Sequence, residues 1–149
     1  MATVKQIVGA RNSLTVTGFA TLASATYVAS ADYDCTTNDP IDVIIEVHVA
    51  TTNTPAGNKQ VVVFLQESLD GTNFRSGPTS GTTTTNEPNL LFLGTIPMNA
   101  ASTTQVATYS VMQALGYVPA EFRVVFKNDL GVALTGGNAF TAEISETIT

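Results

Sequence analysis

Residues 41–49 (IDVIIEVHV) alternate apolar and other side chains without a break. Ile41, Val43, Ile45, Val47 and Val49 share one face, and Asp42, Ile44, Glu46 and His48 share the other. A period of two over this length predicts a strand with one face in a core. Gln60–Ser68 (QVVVFLQES) is apolar on both faces until its end, which predicts a strand in the middle of a sheet. Residues 90–97 (LLFLGTIP) predict a third strand with Gly94 as a bulge position, and residues 104–111 (TQVATYSV) a fourth. In residues 120–128 (AEFRVVFKN), Phe122, Val124 and Phe126 point inward and Glu121, Arg123 and Lys127 outward. Residues 139–148 alternate once more, with Phe140, Ala142, Ile144 and Ile148 as the apolar set.

The segments between these strands carry turn chemistry. Residues 51–59 (TTNTPAGNK) and the pair Asp70-Gly71 are turn material, since such residues tolerate the backbone that tight turns need. Residues 76–89 (SGPTSGTTTTNEPN) are almost free of apolar side chains and predict a mobile surface loop that projects outward or reaches a neighbour. Ser110 followed by Gln113 is a capping-box pattern, and Gly116 suits the position just past a helix end. Residues 112–115 are therefore expected to make one helical turn before Pro119 restarts an extended chain. With a strand inside residues 14–27, the count is seven to eight strands. The expected fold is all-β: a single β-sandwich, Ig-like or jelly roll, with one short helical turn and an extended N-terminal arm. The arm is residues 1–13 and the sandwich residues 14–149.

Composition narrows the chemistry. Only 12% of the 149 residues are charged, about half the usual share. The net charge is −6, and the six Lys and Arg residues are scattered rather than gathered in a stripe. Direct nucleic-acid binding is not expected from such a surface. No run approaches the ~18 apolar residues of a membrane-spanning helix, so no membrane partner is expected. Residues 14–31 loosely imitate a signal peptide, but Thr15, Thr17, Gly18, Thr21 and Ser24 interrupt the apolar stretch, which is read as arm and first strand instead. Cys35 is the one cysteine, so no disulfide within the chain can form, and it reads as a small residue beside a loop.

Residues able to do chemistry are few and do not form a set. Glu46 and His48 share a strand face, but acid–base catalysis or a metal site needs further convergent groups. Were they at a subunit boundary, His48 would make assembly depend on pH. Asp70, Thr72 and Asn73 offer oxygen ligands without the spaced carboxylates of a calcium loop. Gly136-Gly137 does not open a helix, and Ser110 and Ser145 lack a nucleophile-elbow context. The expectation is a non-enzymatic protein with no catalytic residue, no cofactor and no metal. Faces rich in Thr, Ala and Val and poor in charge suit assembly, as in interface cores. Val4, Ile7 and Val8 in the arm are the expected protein contacts, because such a terminus is ordered mainly when something ties it down.

The order of several segments carries a resemblance. Residues 66–74 (QESLDGTNF), 93–96 (LGTI), 109–128 (YSVMQALGYVPAEFRVVFKN) and 129–134 (DLGVAL) follow one another as in small structural proteins of tailed-bacteriophage virions. The chain resembles that class over roughly residues 40–145, with Met112-Gln113 where smaller, more apolar residues are usual. The resemblance implies a β-sandwich of the virion, a capsid decoration or cement protein on the outer surface of the head. The implied partners are the major capsid protein and other copies of itself, as a symmetric dimer or trimer. A tail, neck or fibre component is the alternative. A host-glycan-binding sandwich comes next, disfavoured by the absence of tryptophan.

Overall fold

The computed structural model describes residues 3–148; residues 1, 2 and 149 lie outside the described part. Its strands are β1 (Val4–Val8), β2 (Asn12–Leu14), β3 (Tyr27–Ala29), β4 (Tyr33–Asp34), β5 (Asp42–Ala50), β6 (Gln60–Ser68), β7 (Ser80–Gly81), β8 (Leu91–Pro97), β9 (Gln105–Ser110), β10 (Glu121–Asp129) and β11 (Gly136–Ile148). One helical turn, α1 (Val111–Leu115), and two 3-10 turns, Phe19–Thr21 and Glu87–Asn89, complete the described elements.

Two antiparallel sheets face each other. One has the order β1-β11-β5-β9, with β2 following β1 along the same edge of β11. The other has the order β7-β3-β10-β6-β8, with β4 following β3 along β10. The pairing is nested: the start of the chain pairs with its end, β3 and β4 pair with β10, β5 with β9, and β6 with β8. Links β5–β6, β8–β9, β9–β10 and β10–β11 all cross between sheets. Nested pairing with repeated crossing is the jelly-roll topology, which decides between the two sandwiches that the strand pattern allowed. Counting β1 with β2 and β3 with β4 as broken single strands, and setting aside the two-residue β7, gives eight strand positions.

The core lies where the alternation predicts it on β5, β6 and β10. Val43, Ile45, Val47 and Val49 meet Val61, Val63, Leu65, Phe122, Val124 and Phe126, all fully buried. Phe19 stacks on Phe126 with ring centroids 4.1 Å apart. On β11 the expected apolar set turns outward, and Ala139 and Thr141 take the core face instead. The register explains this, because Ala139 faces Val47 and Thr141 faces Ile45. A period-two run fixes two faces but does not say which is inside when both carry apolar residues.

The other segments follow local rules. Ser110 Oγ accepts from the Gln113 amide at 2.9 Å and Gly116 ends the helix with φ +81, as the capping pattern predicts. The Asp42 carboxylate adds a second cap, accepting from the Met112 amide at 2.9 Å. The bulge falls beside Gly94: Val63 faces Gly94 and Phe64 faces Phe92, leaving Leu93 as the extra residue. A Cβ on Gly94 would lie 2.8 Å from the Tyr109 ring, so glycine is what lets that ring pass between the two edge strands.

The long loop differs from expectation. Val62, Phe64 and Val125 point away from the main core and form a second buried cluster with Tyr27 and Leu90. That outward apolar patch needs a cover, and the loop supplies it. β7 pairs with β3, Lys127 Nζ lies 2.8 Å from the Glu87 carboxylate, and the Tyr27 hydroxyl donates to Glu87. The loop is thus tied to its own sheet at two places, Ser80–Gly81 along the β3 edge and Glu87 beside Lys127 and Tyr27. Burial, then the hydrogen bond to Glu87, pushes the Tyr27 phenol up to about 12.

At the end of the sandwich holding the 50–59 and 130–135 turns, a single buried amide joins three segments. Asn128 Nδ2 donates to the Leu22 and Val132 carbonyls, each at 2.8 Å, and its Oδ1 accepts from the Leu130 amide at 2.9 Å. Asn128→Ala is expected to cost about 3 kcal/mol, because three buried backbone groups lose partners that an apolar residue cannot replace. A denaturant midpoint shift worth less than about 1 kcal/mol would contradict this. For the loop, a raised phenol pKa means that its contribution is whole below about pH 10 and lost as pH climbs towards about 12. Protease nicking within residues 76–89 should rise in step with the late tyrosinate absorbance, and Tyr27→Phe should give nicking at neutral pH. Nicking that ignores both changes would show that the latch is elsewhere.

Candidate interaction surface

β11 has thirteen residues, and β5 pairs with it only over Gly136 to Ile144. Residues 145–148 therefore run past the sandwich, and beyond Ile144 their partner is β1. The chain's two ends form a two-stranded ribbon that projects from the end of the sandwich carrying α1, the Asp70 turn and residues 35–40. Its base is anchored by the Gly9 amide to the Glu143 carbonyl at 2.8 Å and the Ile41 amide to the Ile144 carbonyl at 2.9 Å. The Glu143 carboxylate accepts from Tyr33 at 2.8 Å and from Asn38 at 2.9 Å. Burial, then the bond to Glu143, pushes the Tyr33 phenol up to about 12.

The expected contact residues all lie on this ribbon. Val4, Ile7 and Val8 are 57%, 46% and 67% exposed, and Ile148 is 76% exposed. The extended arm is thus held by its own chain, yet its apolar side chains stay in water. Val4 faces Ile148 and Val8 faces Ile144, so these four share one face, while Ile7 opposite Ser145 is on the other. Ile144 and Ile148, which the alternation gives only as part of β11's apolar set, join this face because β5 stops at Asp42, opposite Ile144.

The ribbon's apolar face continues onto the outer face of the β11 sheet. Cross-strand partners place Ile44 beside Ala142, and His48 beside Val106, which is 55% exposed. A compact polar group interrupts this face. Glu46 Oε1 takes the His48 ring nitrogen at 2.6 Å and Arg11 NH1 at 2.7 Å. The Arg11 guanidinium lies 4.1 Å from the Phe140 ring centre, and the His48 ring meets the same ring edge-on. Hydrogen bonds from His48 first and Arg11 second hold the Glu46 carboxyl below the usual range. Glu46 Oε1 thus bridges His48 and Arg11, and among the described residues no group of three or more His, Cys, Asp or Glu side chains is placed to hold a metal ion.

The remaining candidates are also engaged. Cys35 is buried, and burial, then nearby carboxylates, pushes its thiol up to about 12, far from a reactive thiolate. Both oxygens of Asp70 are taken within its own turn, by the Thr72 and Asn73 amides, the Ser68 hydroxyl and the Asn73 side chain. Main-chain and side-chain bonds from Asn73 lead in holding that carboxyl well below its ordinary range. Beside this turn is an open pocket of about 380 Å³, lined by Glu67, Leu69, Asp70, Asn73, Arg75 and Tyr117. The Tyr117 ring is part-exposed there, and Arg75 grips Glu67 through Nε at 2.7 and 2.8 Å.

No family model matches the chain, and no curated protein does. Among solved structures it is similar to a Family 16 Carbohydrate Binding Module-2, at 10% identity and a TM-score of 0.35, over 85% of this chain and 74% of that one. It is similar to the EclA C-terminal domain, a sugar-binding protein, at 11% identity and a TM-score of 0.31, over 99% and 79%. It is also similar to the cowpea mosaic virus top component, naturally occurring empty particles, at 9% identity and a TM-score of 0.32, over 85% of this chain and 59% of that one. Likenesses this distant carry no functional argument.

Because the ribbon's apolar side chains are already in water, removing them should scarcely affect the folded chain. Val4→Ser with Val8→Ser is expected to change unfolding free energy by about 0.5 kcal/mol or less. Thermal and denaturant unfolding measure this, and a loss above about 2 kcal/mol would mean that these residues serve the fold.

Proposed function

We propose that this chain is a non-enzymatic structural protein of a bacteriophage virion, a decoration or cement protein bound to the outer surface of the head. The observation that supports the reading is the projecting ribbon, whose Val4, Val8 and Ile148 are largely exposed and lie outside the buried core. Jelly rolls recur in capsid and lectin domains, so the fold admits more than one role and the site must argue for one. A ribbon of this kind can lie across a boundary between coat subunits and bury its apolar face there, at about 25 cal/mol per Å². Repetition over a shell multiplies a modest contact into a large resistance to internal pressure.

A second reading, host-glycan binding, has one observation in its favour: the Tyr117 ring beside Asn73 and Arg75 in the 380 Å³ pocket. An aromatic face next to polar groups is a common way to hold a sugar ring.

One experiment separates the readings. Heads lacking the protein are mixed with the purified chain and sedimented, in parallel with a glycan array. Val4→Asp with Val8→Asp is expected to weaken head binding by about tenfold or more, since each buried valine is worth roughly 1.5 kcal/mol or more. Tyr117→Ala should leave head binding unchanged. A chain that never sediments with heads, or array binding abolished by Tyr117→Ala, would overturn the cement reading.

A further inference from the structure

The ribbon has an unused edge. Among the described residues β1 pairs only with β11, so its second edge offers backbone groups to another strand. The Gly9 amide bonds to Glu143, its facing residue, which fixes the alternation of the antiparallel ladder. Lys5 and Ile7 therefore turn their N–H and C=O toward β11, and Val4, Gln6 and Val8 turn theirs toward the free edge.

We propose that the second strand is β1 of another copy of this chain, paired antiparallel about a two-fold axis at Gln6. In that register Gln6 faces Gln6 of the second copy and Val4 faces Val8, so the outward set of backbone groups maps onto itself. About six main-chain hydrogen bonds result, two per facing pair. The side chains fit as well. Val4 and Val8 from each copy, each backed by Ile148 or Ile144, make two apolar rows on one face, separated by a row of Gln6 and Glu146. On the other face Lys5 falls opposite Ile7 of the second copy.

Charge supports a self-pair over a foreign partner. Residues 4–8 and 144–148, the paired part of the ribbon, carry one cation, Lys5, and one anion, Glu146, and the two-fold register sets neither opposite its own kind. On a chain of net charge −6 this is a locally neutral stretch, so two copies meet where their mutual repulsion is least. An isologous contact of this type closes as a dimer rather than growing into a fibre. Its use, to present one doubled apolar face to the coat, rests on the virion reading above; the pairing itself does not.

The residue on the axis supplies the test. Sedimentation equilibrium of the isolated full chain should show a concentration-dependent dimer without any head present. Gln6→Lys places like charges face to face and should weaken dimerisation at least tenfold, as should Gln6→Glu, while an equimolar mixture of the two should form a heterodimer. Thermal unfolding of each variant, expected to match the parent chain within a few degrees, confirms that the ribbon still folds. A parent chain that stays monomeric at high concentration, a dimer indifferent to Gln6→Lys, or a mixture no tighter than its components would overturn the proposal. A clean dimer that fails to bind heads would overturn the virion reading alone.

Discussion

A thirteen-residue strand lying against a nine-residue one leaves part of its length without a sheet beneath it. That mismatch between β11 and β5 sets where β1 and the end of β11 leave the sandwich. The overhanging residues have no second layer to bury their side chains and only one neighbour to satisfy their backbone. β1 is that neighbour, and the chain's two ends are committed to each other outside the core. Exposed apolar side chains and an open strand edge therefore coincide on the ribbon, far from the loops of the opposite end.

The rest of the fold supplies rigidity for that projection. Nested pairing ties the first strands to the last ones, so the base of the ribbon belongs to both sheets' closing contacts rather than to a loose tail. Asn128 ties the Leu22 segment to the 130–135 turn at the far end, and the Glu87 latch holds the long loop over the second hydrophobic cluster. Elsewhere, hydrogen bonds hold the Glu46 and Asp70 carboxyls below their ordinary range, and burial pushes the Cys35 thiol up.

Much of the sandwich was legible because β5, β6 and β10 each make a one-to-one statement between pattern and burial. Period two with strongly apolar odd positions leaves one way to seat β5, and a run apolar on both faces leaves one place for β6. The capping of α1 was equally plain, since Ser110, Gln113 and Gly116 act on neighbouring backbone and need no distant partner. The fate of residues 76–89 was not legible: a polar loop looks the same whether it waves in water or covers a patch, and the patch belongs to Val62, Phe64 and Val125 on other strands. The ribbon was half legible: Val4, Ile7 and Val8 stand out as apolar positions in the arm, while their pairing with residues 144–148 joins segments too far apart to leave a mark in either one.

Sequence alone determined which segments extend, where they turn, and that little chemistry is on offer, because those properties rest on near neighbours and on composition. Only the tertiary structure decided that the sandwich is a jelly roll, that Ala139 and Thr141 rather than Phe140 enter the core, and that the ends form a ribbon. Each of these depends on which strand lies beside which and in what register. Pairing between segments a hundred residues apart leaves no periodic trace in either one, so it becomes visible only when both are in place.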